Sequence, residues 1–142
     1  MARDIRKFEV GVKGFILDGH KLLMLEERGR VEKKGRDLWE LPGGRIDVGE
    51  ENLPIEEILF REVKEELGLV KIEAGNIVST WVRQLHEDHF VFLIGLACKY
   101  IGGEIVLSDE HASYKWVDRN NWSALNMADG YRSAIKKFWE TN

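Results

Sequence analysis

The stretch Leu41–Val70 reads LPGGRIDVGEENLPIEEILFREVKEELGLV, and its second half decides how the chain is organised. Pro54 to Leu67 carries the marks of a helix closed by Gly68. Asn52 is a candidate cap, Pro54 suits the first turn, and Glu56 and Glu57 complement the positive end of the helix dipole. At about 100° per residue, Glu62, Glu65 and Glu66 fall within an arc of roughly 100°. Phe60, Val63 and Leu67 cluster on another side as a core face. Like charges three and four residues apart repel by about a few tenths of a kcal/mol each, so the three carboxylates call for a partner. A hard divalent cation such as Mg²⁺ or Mn²⁺ is one, because it takes oxygen ligands and keeps positions for water and phosphate oxygens. A solvated acidic face is the plainer alternative for an isolated E-x-x-E-E. Two neighbours favour the cation: Arg61, placed to grip a carboxylate with both arms of its fork, and Gly43-Gly44, where the backbone can approach a metal or phosphate closely. Ile55, Ile58 and Leu59 point towards the carboxylate side one turn earlier. They require cover from another part of the fold or from a partner, which admits a homodimer.

Outward from this segment, the chain alternates between strand and helix patterns. Val10, Val12, Gly14 and Ile16 alternate with Glu9, Gly11, Lys13 and Phe15 as in a strand, and Asp18-Gly19 supplies a hairpin turn into a second strand, Lys21 to Leu25. Glu26 to Asp37 is almost wholly charged or glycine and predicts a solvated loop, followed by a short strand over Leu38 to Leu41. Beyond the helix, Ile77 to Leu85 and His89 to Tyr100 read as two longer strands joined around Glu87-Asp88. Gly102-Gly103 turns into a strand over Glu104 to Leu107, and Tyr114 to Val117 is a further short strand. Tyr131, Ile135, Phe138 and Trp139 recur at helical spacing, so Asp129 to Trp139 predicts an amphipathic helix laid on the sheet. This order indicates an α+β protein, a mixed sheet with helices packed on it.

Bulk properties narrow the classes. A length of 142 residues fits one domain, and 44% hydrophobic residues are enough for one core. Lys and Arg total 21 against 25 Asp and Glu, a net charge of -4, which argues against a general nucleic-acid or membrane-surface binder. The single cysteine, Cys98, excludes an internal disulfide framework and fits a reducing cytosol. The longest apolar run, Phe90 to Cys98, is too short to span a bilayer, and Met1 to Glu9 has no signal-peptide pattern. The expectation is a soluble, cytoplasmic, single-domain protein spanning residues 1–142.

The Leu41–Val70 segment resembles the signature box of the Nudix hydrolases. Gly44, five residues and Glu50 fit that pattern, and Arg61-Glu62-Val63-Lys64-Glu65-Glu66-Leu67-Gly68-Leu69 fits throughout, so the box lies at 44–69. The departure is the spacer, ten residues from Glu51 to Phe60 where the pattern has seven. The resemblance implies an αβα sandwich whose loop-helix-loop box supports metals. It also implies hydrolysis of a diphosphate linkage in a nucleoside di- or triphosphate or related derivative, by attack of water on phosphorus. Carried over by position, Glu62, Glu65 and Glu66 would ligate Mg²⁺, with Mn²⁺ as a substitute and the carbonyl of Gly43 or Gly44 as a further ligand. Arg61 would orient the glutamates, Glu65 or Glu66 would activate the water, and Glu50 would brace the loop. The partner implied is a small-molecule nucleotide, with neither membrane nor DNA or RNA expected.

Several residues outside the box are candidates of a weaker kind. Glu110, then Glu87, could supply a further acid, and each competes with a role as a solvated turn. His111 has the chemistry for acid-base work, although an isolated loop histidine is more often structural. Arg28, Arg30, Lys33, Lys34 and Arg36 form a basic run able to touch phosphates as flexible charges, and Arg45 follows the glycines. Trp81 offers a face for stacking a base, with core packing the commoner role, while Trp39, Trp116 and Trp139 read as packing and Cys98 as buried. Two other classes compete with the enzyme. One is a catalytically silent nucleotide-sensing or partner-binding module, which has no need for all the repelling carboxylates. The other is a Ca²⁺-stabilised acidic loop, for which the alternating Asp/Asn pattern is missing.

Overall fold

The computed structural model describes residues 3–28 and 38–141. The hairpin forms as the sequence predicts, with β1 (Glu9–Asp18) turning through Gly19 into β2 (Lys21–Glu27). Then follow β3 (Trp39–Glu40), β4 (Gly43–Arg45), α1 (Ile55–Leu67), β5 (Lys71–His86), β6 (His89–Gly102), β7 (His111–Val117), a 3₁₀ turn (Trp122–Ala124) and α2 (Asp129–Thr141). The strands form one mixed sheet in the order β3-β2-β1-β6-β5, with β4 also on β1 and β7 on β2. β1 runs parallel to β6 and antiparallel to β2 and β4.

Side chains of successive strand residues alternate between the sheet faces, and this builds two cores. On one face Val12, Ile16, Leu23, Leu25 and Leu96 pack against Ile58, Leu59, Val63 and Leu67 of α1. On the other, Phe15, Met24, Trp81 and Leu93 pack against Tyr131, Ile135 and Phe138 of α2. The result is helix, sheet, helix: the αβα sandwich. Lys13 lies between Val12 and Gly14 in the strand and is buried.

The sheet itself covers the apolar residues near the carboxylates. Ile58 and Leu59 have no exposed surface, and Ile55 packs at the edge of the same core, so these residues offer no face to a second subunit. Asn52 does not cap α1. The residue before the helix is Pro54, which makes no side-chain cap bond, because the turn that joins Leu53 N–H to the Glu50 carbonyl leaves Asn52 outside the helix.

Glu104 to Leu107 is not a strand. Val106 N–H donates instead to the Leu67 carbonyl and Ser108 N–H to the Glu66 carbonyl, so this segment satisfies carbonyls at the end of α1. Glu26 and Glu27 extend β2 rather than opening a loop, because they pair with Ser113 and His111 of β7. Likewise β5 begins six residues before the predicted Ile77, at Lys71, held by its pairing with β6. Trp39, Trp81 and Trp139 are buried, as is Cys98, whose thiol burial pushes up to about 12; Trp116 is half-buried against Tyr100. Among the described residues, no helix is long and apolar enough to cross a membrane.

Since Leu59 is wholly enclosed, Leu59→Ala should destabilise the protein by about 2–5 kcal/mol in urea unfolding; a loss under about 1 kcal/mol would contradict this packing.

Candidate active site

Arg61, on α1, organises the acidic end of the box. Its Nε and Nη2 donate to the two oxygens of Glu50 at 2.5 and 2.7 Å. Nη1 reaches Glu62 Oε1 at 2.6 Å and Glu65 at 3.4 Å, and Nη2 also donates to the Arg45 carbonyl at 3.0 Å. One planar guanidinium thus ties the loop after β4 to two helix carboxylates, a geometry that its fixed fork allows and an ammonium would not. Hydrogen bonds from Arg61 and from the Asp47 N–H hold Glu50 below the usual carboxylate range. Glu50 therefore braces the loop, and it does so despite the longer spacer, because the additional residues lie after it.

Two carboxylates of α1 end on the Gly43-Gly44 turn. Glu66 Oε1 accepts the Gly43 N–H at 2.7 Å. Glu62 packs against Gly44 so closely that a Cβ there would overlap its carboxyl group. Gly43 itself has φ +132, and a Cβ on it would strike the Val12 carbonyl, so neither position tolerates a side chain. Glu65, by contrast, points outward and is mostly exposed. Burial pushes the Glu66 carboxyl up to about 7, against the opposing pull of Lys13, the Gly43 N–H and His111. Burial also raises Glu62, partly offset by Arg61.

Behind these glycines lies a buried polar cluster contributed mostly by strands of the sheet. His111 Nε2 sits 3.5 Å from Glu40 Oε1 and 3.6 Å from Glu66 Oε2. Lys13 Nζ donates to Glu40 Oε1 at 3.1 Å and to the Gly43 carbonyl at 2.9 Å. Arg83 continues the chain of charge, 3.7 Å from Glu40 Oε2 and 2.9 Å from Glu27 Oε1. Burial alone would lower Lys13 and raise Glu40. Their mutual attraction outweighs it only together with Tyr131 and Glu66 acting on Lys13 and with His111 and Glu27 acting on Glu40, so Lys13 is raised and Glu40 falls well below its ordinary value. Among the described residues, Glu40, Glu66 and His111 are the group of three whose ligand atoms approach within 4.8 Å of one another.

The donor set suits a hard divalent cation. Glu62 and Glu66 offer carboxylate oxygens, both raised by desolvation, which is the condition a bound cation would relieve. The other predicted residues lie nearby in sequence or fold but have partners of their own. Arg45 is exposed and pairs with Glu9 at 3.0 Å. Arg28 Nε donates to the Asp109 carbonyl at 2.7 Å, and its N–H to the Glu110 carbonyl at 3.0 Å, so Arg28 and exposed Glu110 are joined at the start of β7. Glu87 lies in the exposed turn between β5 and β6. Arg30, Lys33, Lys34 and Arg36 lie outside the described residues.

Lys13, Glu40 and Arg83 are the members the sequence reading missed. A signal existed for the first two: a lysine in the middle of an apolar strand, and a glutamate between Trp39 and Leu41, both demand buried partners.

Comparison with known proteins identifies the family and the fold. Residues 7–138 match the family described as the NUDIX domain. The chain is 29% identical over 130 residues to an ADP-ribose pyrophosphatase of Methanocaldococcus jannaschii, covering 87% of this chain and 73% of that protein. It is 31% identical over 132 residues to the nucleoside triphosphatase NudI of Salmonella agona, covering 84% and 89% respectively. Of a longer curated relative, 37% identical over 114 residues, the matched stretch spans 43%. The crystal structure of a MutT protein from Methanosarcina mazei superposes with a TM-score of 0.80, 24% identity and 96% coverage of both chains, a likeness of fold.

Glu66 binds its proton more tightly in the folded state, near 7, than at its ordinary value of 4.5. Its stabilising contribution is therefore complete below that lower value and lost as pH rises through 7 in metal-free protein. Glu66→Gln keeps an acceptor for Gly43 and removes the titration. In the presence of chelator its Tm should exceed wild type at about pH 8, with the margin closing towards about pH 4.5. A margin independent of pH would exclude Glu66 as the group that titrates.

Proposed function

This chain belongs to the NUDIX family, and from that premise we propose that it hydrolyses a phosphoric anhydride bond in a small nucleotide, with Mg²⁺, or Mn²⁺ in its place, held by Glu62, Glu65 and Glu66. The observation that carries this reading is the convergence of Glu62 and Glu66 from one helix onto the Gly43-Gly44 turn, with Arg61 fixing the first of them. The Gly43 N–H meets the Glu66 carboxylate there and the Glu62 carboxyl lies against Gly44, on a scaffold too tight for a side chain at either glycine.

A bound divalent cation would supply charge neutralisation of the phosphates and acidification of a water. The chain's own residues do the rest. Glu65 or Glu66 takes the proton from the attacking water; its oxygen bonds to phosphorus as the bridging P–O bond breaks, and the bridging oxygen leaves with the departing phosphate. Arg61 keeps Glu62 oriented and its charge partly balanced. The exposed Arg45, Arg28 and Glu110 are the proposed substrate contacts, the arginines acting on phosphate oxygens.

The relatives' names define two substrate classes, nucleoside triphosphates and a nucleoside diphosphate linked to a sugar. Both belong in one screen with Mg²⁺ and Mn²⁺, read by release of phosphate, pyrophosphate or nucleoside monophosphate. Turnover is expected to disappear on chelation and return with Mg²⁺. Glu65→Gln and Glu66→Gln should both lose most turnover, by about a hundredfold or more for the one that serves as base. Turnover that survives chelation, or wild-type rates in both variants, would refute the proposed chemistry.

A further inference from the structure

The tip of the β5–β6 hairpin carries side chains that the proposed reaction does not use. The turn reads His86-Glu87-Asp88-His89, and His86 pairs directly with His89 across it. Residues directly opposite in an antiparallel pair share a face, so both imidazoles stand on one side of the ladder. Their rings stack with centres 6.2 Å apart. Glu9 arrives from β1, and its Oε2 is hydrogen-bonded to His89 Nε2. Two imidazoles and one carboxylate thus come together from three adjacent strands.

The surroundings hold these groups in place. Glu9 Oε1, the oxygen turned away from His89, accepts from Arg45 Nη1 at 3.0 Å. Phe8 packs on Phe90 at 5.7 Å, while Arg6 lies 4.4 Å over the same ring and 3.5 Å from Asp88 in the turn. The start of β1 is therefore strapped to the hairpin by residues other than the imidazoles and the carboxylate. An outer partner that orients a ligating carboxylate is a feature of built metal sites. Imidazole nitrogen suits Zn²⁺ and its first-row neighbours, whereas Mg²⁺ takes carboxylate, carbonyl and water oxygens. Two histidines and one carboxylate, with water in the fourth position, make a Zn²⁺ donor set at about 2.0–2.2 Å.

We infer that His86, His89 and Glu9 form a second metal site, one that takes Zn²⁺ or a similar first-row transition ion and is separate from the carboxylates of α1. The ion takes the place of the hydrogen bond between His89 Nε2 and Glu9 Oε2, with the His89 ring carrying its proton on Nδ1. The exposed His86 ring turns to supply the third ligand, and Arg45 stays on Glu9 Oε1. Bound there, the ion ties β1 to the β5–β6 hairpin and, through Glu9, steadies Arg45 one residue beyond Gly44. The site rests on its own donors and stands apart from the hydrolytic reading.

The test is calorimetric titration of metal-free protein with Zn²⁺ in a large excess of Mg²⁺, which keeps the α1 carboxylates supplied with the harder ion. Wild type should bind one Zn²⁺ that His86→Ala, His89→Ala and Glu9→Gln each weaken by about tenfold or more. Glu66→Gln alters the inner group of Glu40, Glu66 and His111, and should change that affinity by less than about threefold. Co²⁺ in place of Zn²⁺ should give visible absorption bands that His86→Ala abolishes. Glu9 and His86 are exposed, so their variants keep both cores, and Tm in chelator checks that they do. The inference is overturned if wild type binds no Zn²⁺, or if any of the three variants binds it as tightly as wild type. It is equally overturned if Glu66→Gln weakens Zn²⁺ binding as much as His89→Ala does, which would place the ion in the inner group. None of these results touches the hydrolytic reading, which is decided by turnover with Mg²⁺.

Discussion

Negative charge crowded onto little more than one turn of helix is the constraint around which this molecule is arranged. Glu62, Glu65 and Glu66 repel one another, and each is directed somewhere different: Glu62 to Arg61 and the flank of Gly44, Glu65 to the surface, Glu66 inward to the Gly43 amide and His111. No neutral scaffold would keep three carboxylates in such a fan. The guanidinium of Arg61 serves two of them and the Glu50 brace with a single planar group, so the helix and the preceding loop form one rigid unit.

That unit reaches through the sheet. Gly43 lies opposite Lys13 in the β1–β4 pairing, and the lysine's partner Glu40 is in contact with Arg83 of β5 at 3.7 Å. Charge therefore runs from α1 through the turn to the strand beneath α2 without a break in polar contact. Each buried member has an opposite charge beside it, which is the condition under which such groups survive without water. Arg83 and Lys13 both approach the Tyr131 ring, at 5.9 and 6.0 Å, so α2 closes the far end of the network as well as the second core.

The helix and its chemistry were legible because they are local. The spacing of Val63 and Leu67 against the glutamates, the Gly68 stop and the Asp18-Gly19 turn are all decided by neighbours within a few residues. The alternation of β1 likewise foretold a strand. What escaped was decided across the sheet. Glu26 and Glu27 look like loop residues until β7 pairs with them, and Glu104 to Leu107 looks like a strand until Val106 and Ser108 turn to the carbonyls ending α1. Ile58 and Leu59 looked uncovered because a helical wheel shows directions and not neighbours; Val12 and Ile16 of β1 enclose them. The same limit hid Glu40, whose role depends on a lysine 27 positions earlier.

The anchoring of Glu50 has a further implication for how such a chain tolerates change. The bidentate grip of Arg61 fixes the loop before the extra residues begin, and the helix begins only at Ile55. Exposed residues 51–54 therefore hang between two clamped points, an indel-permissive bulge whose length is uncoupled from the carboxylates on either side. Lineages could lengthen or trim it as drift allows, and a peptide epitope grafted there would ride on the protein without disturbing its reactive centre.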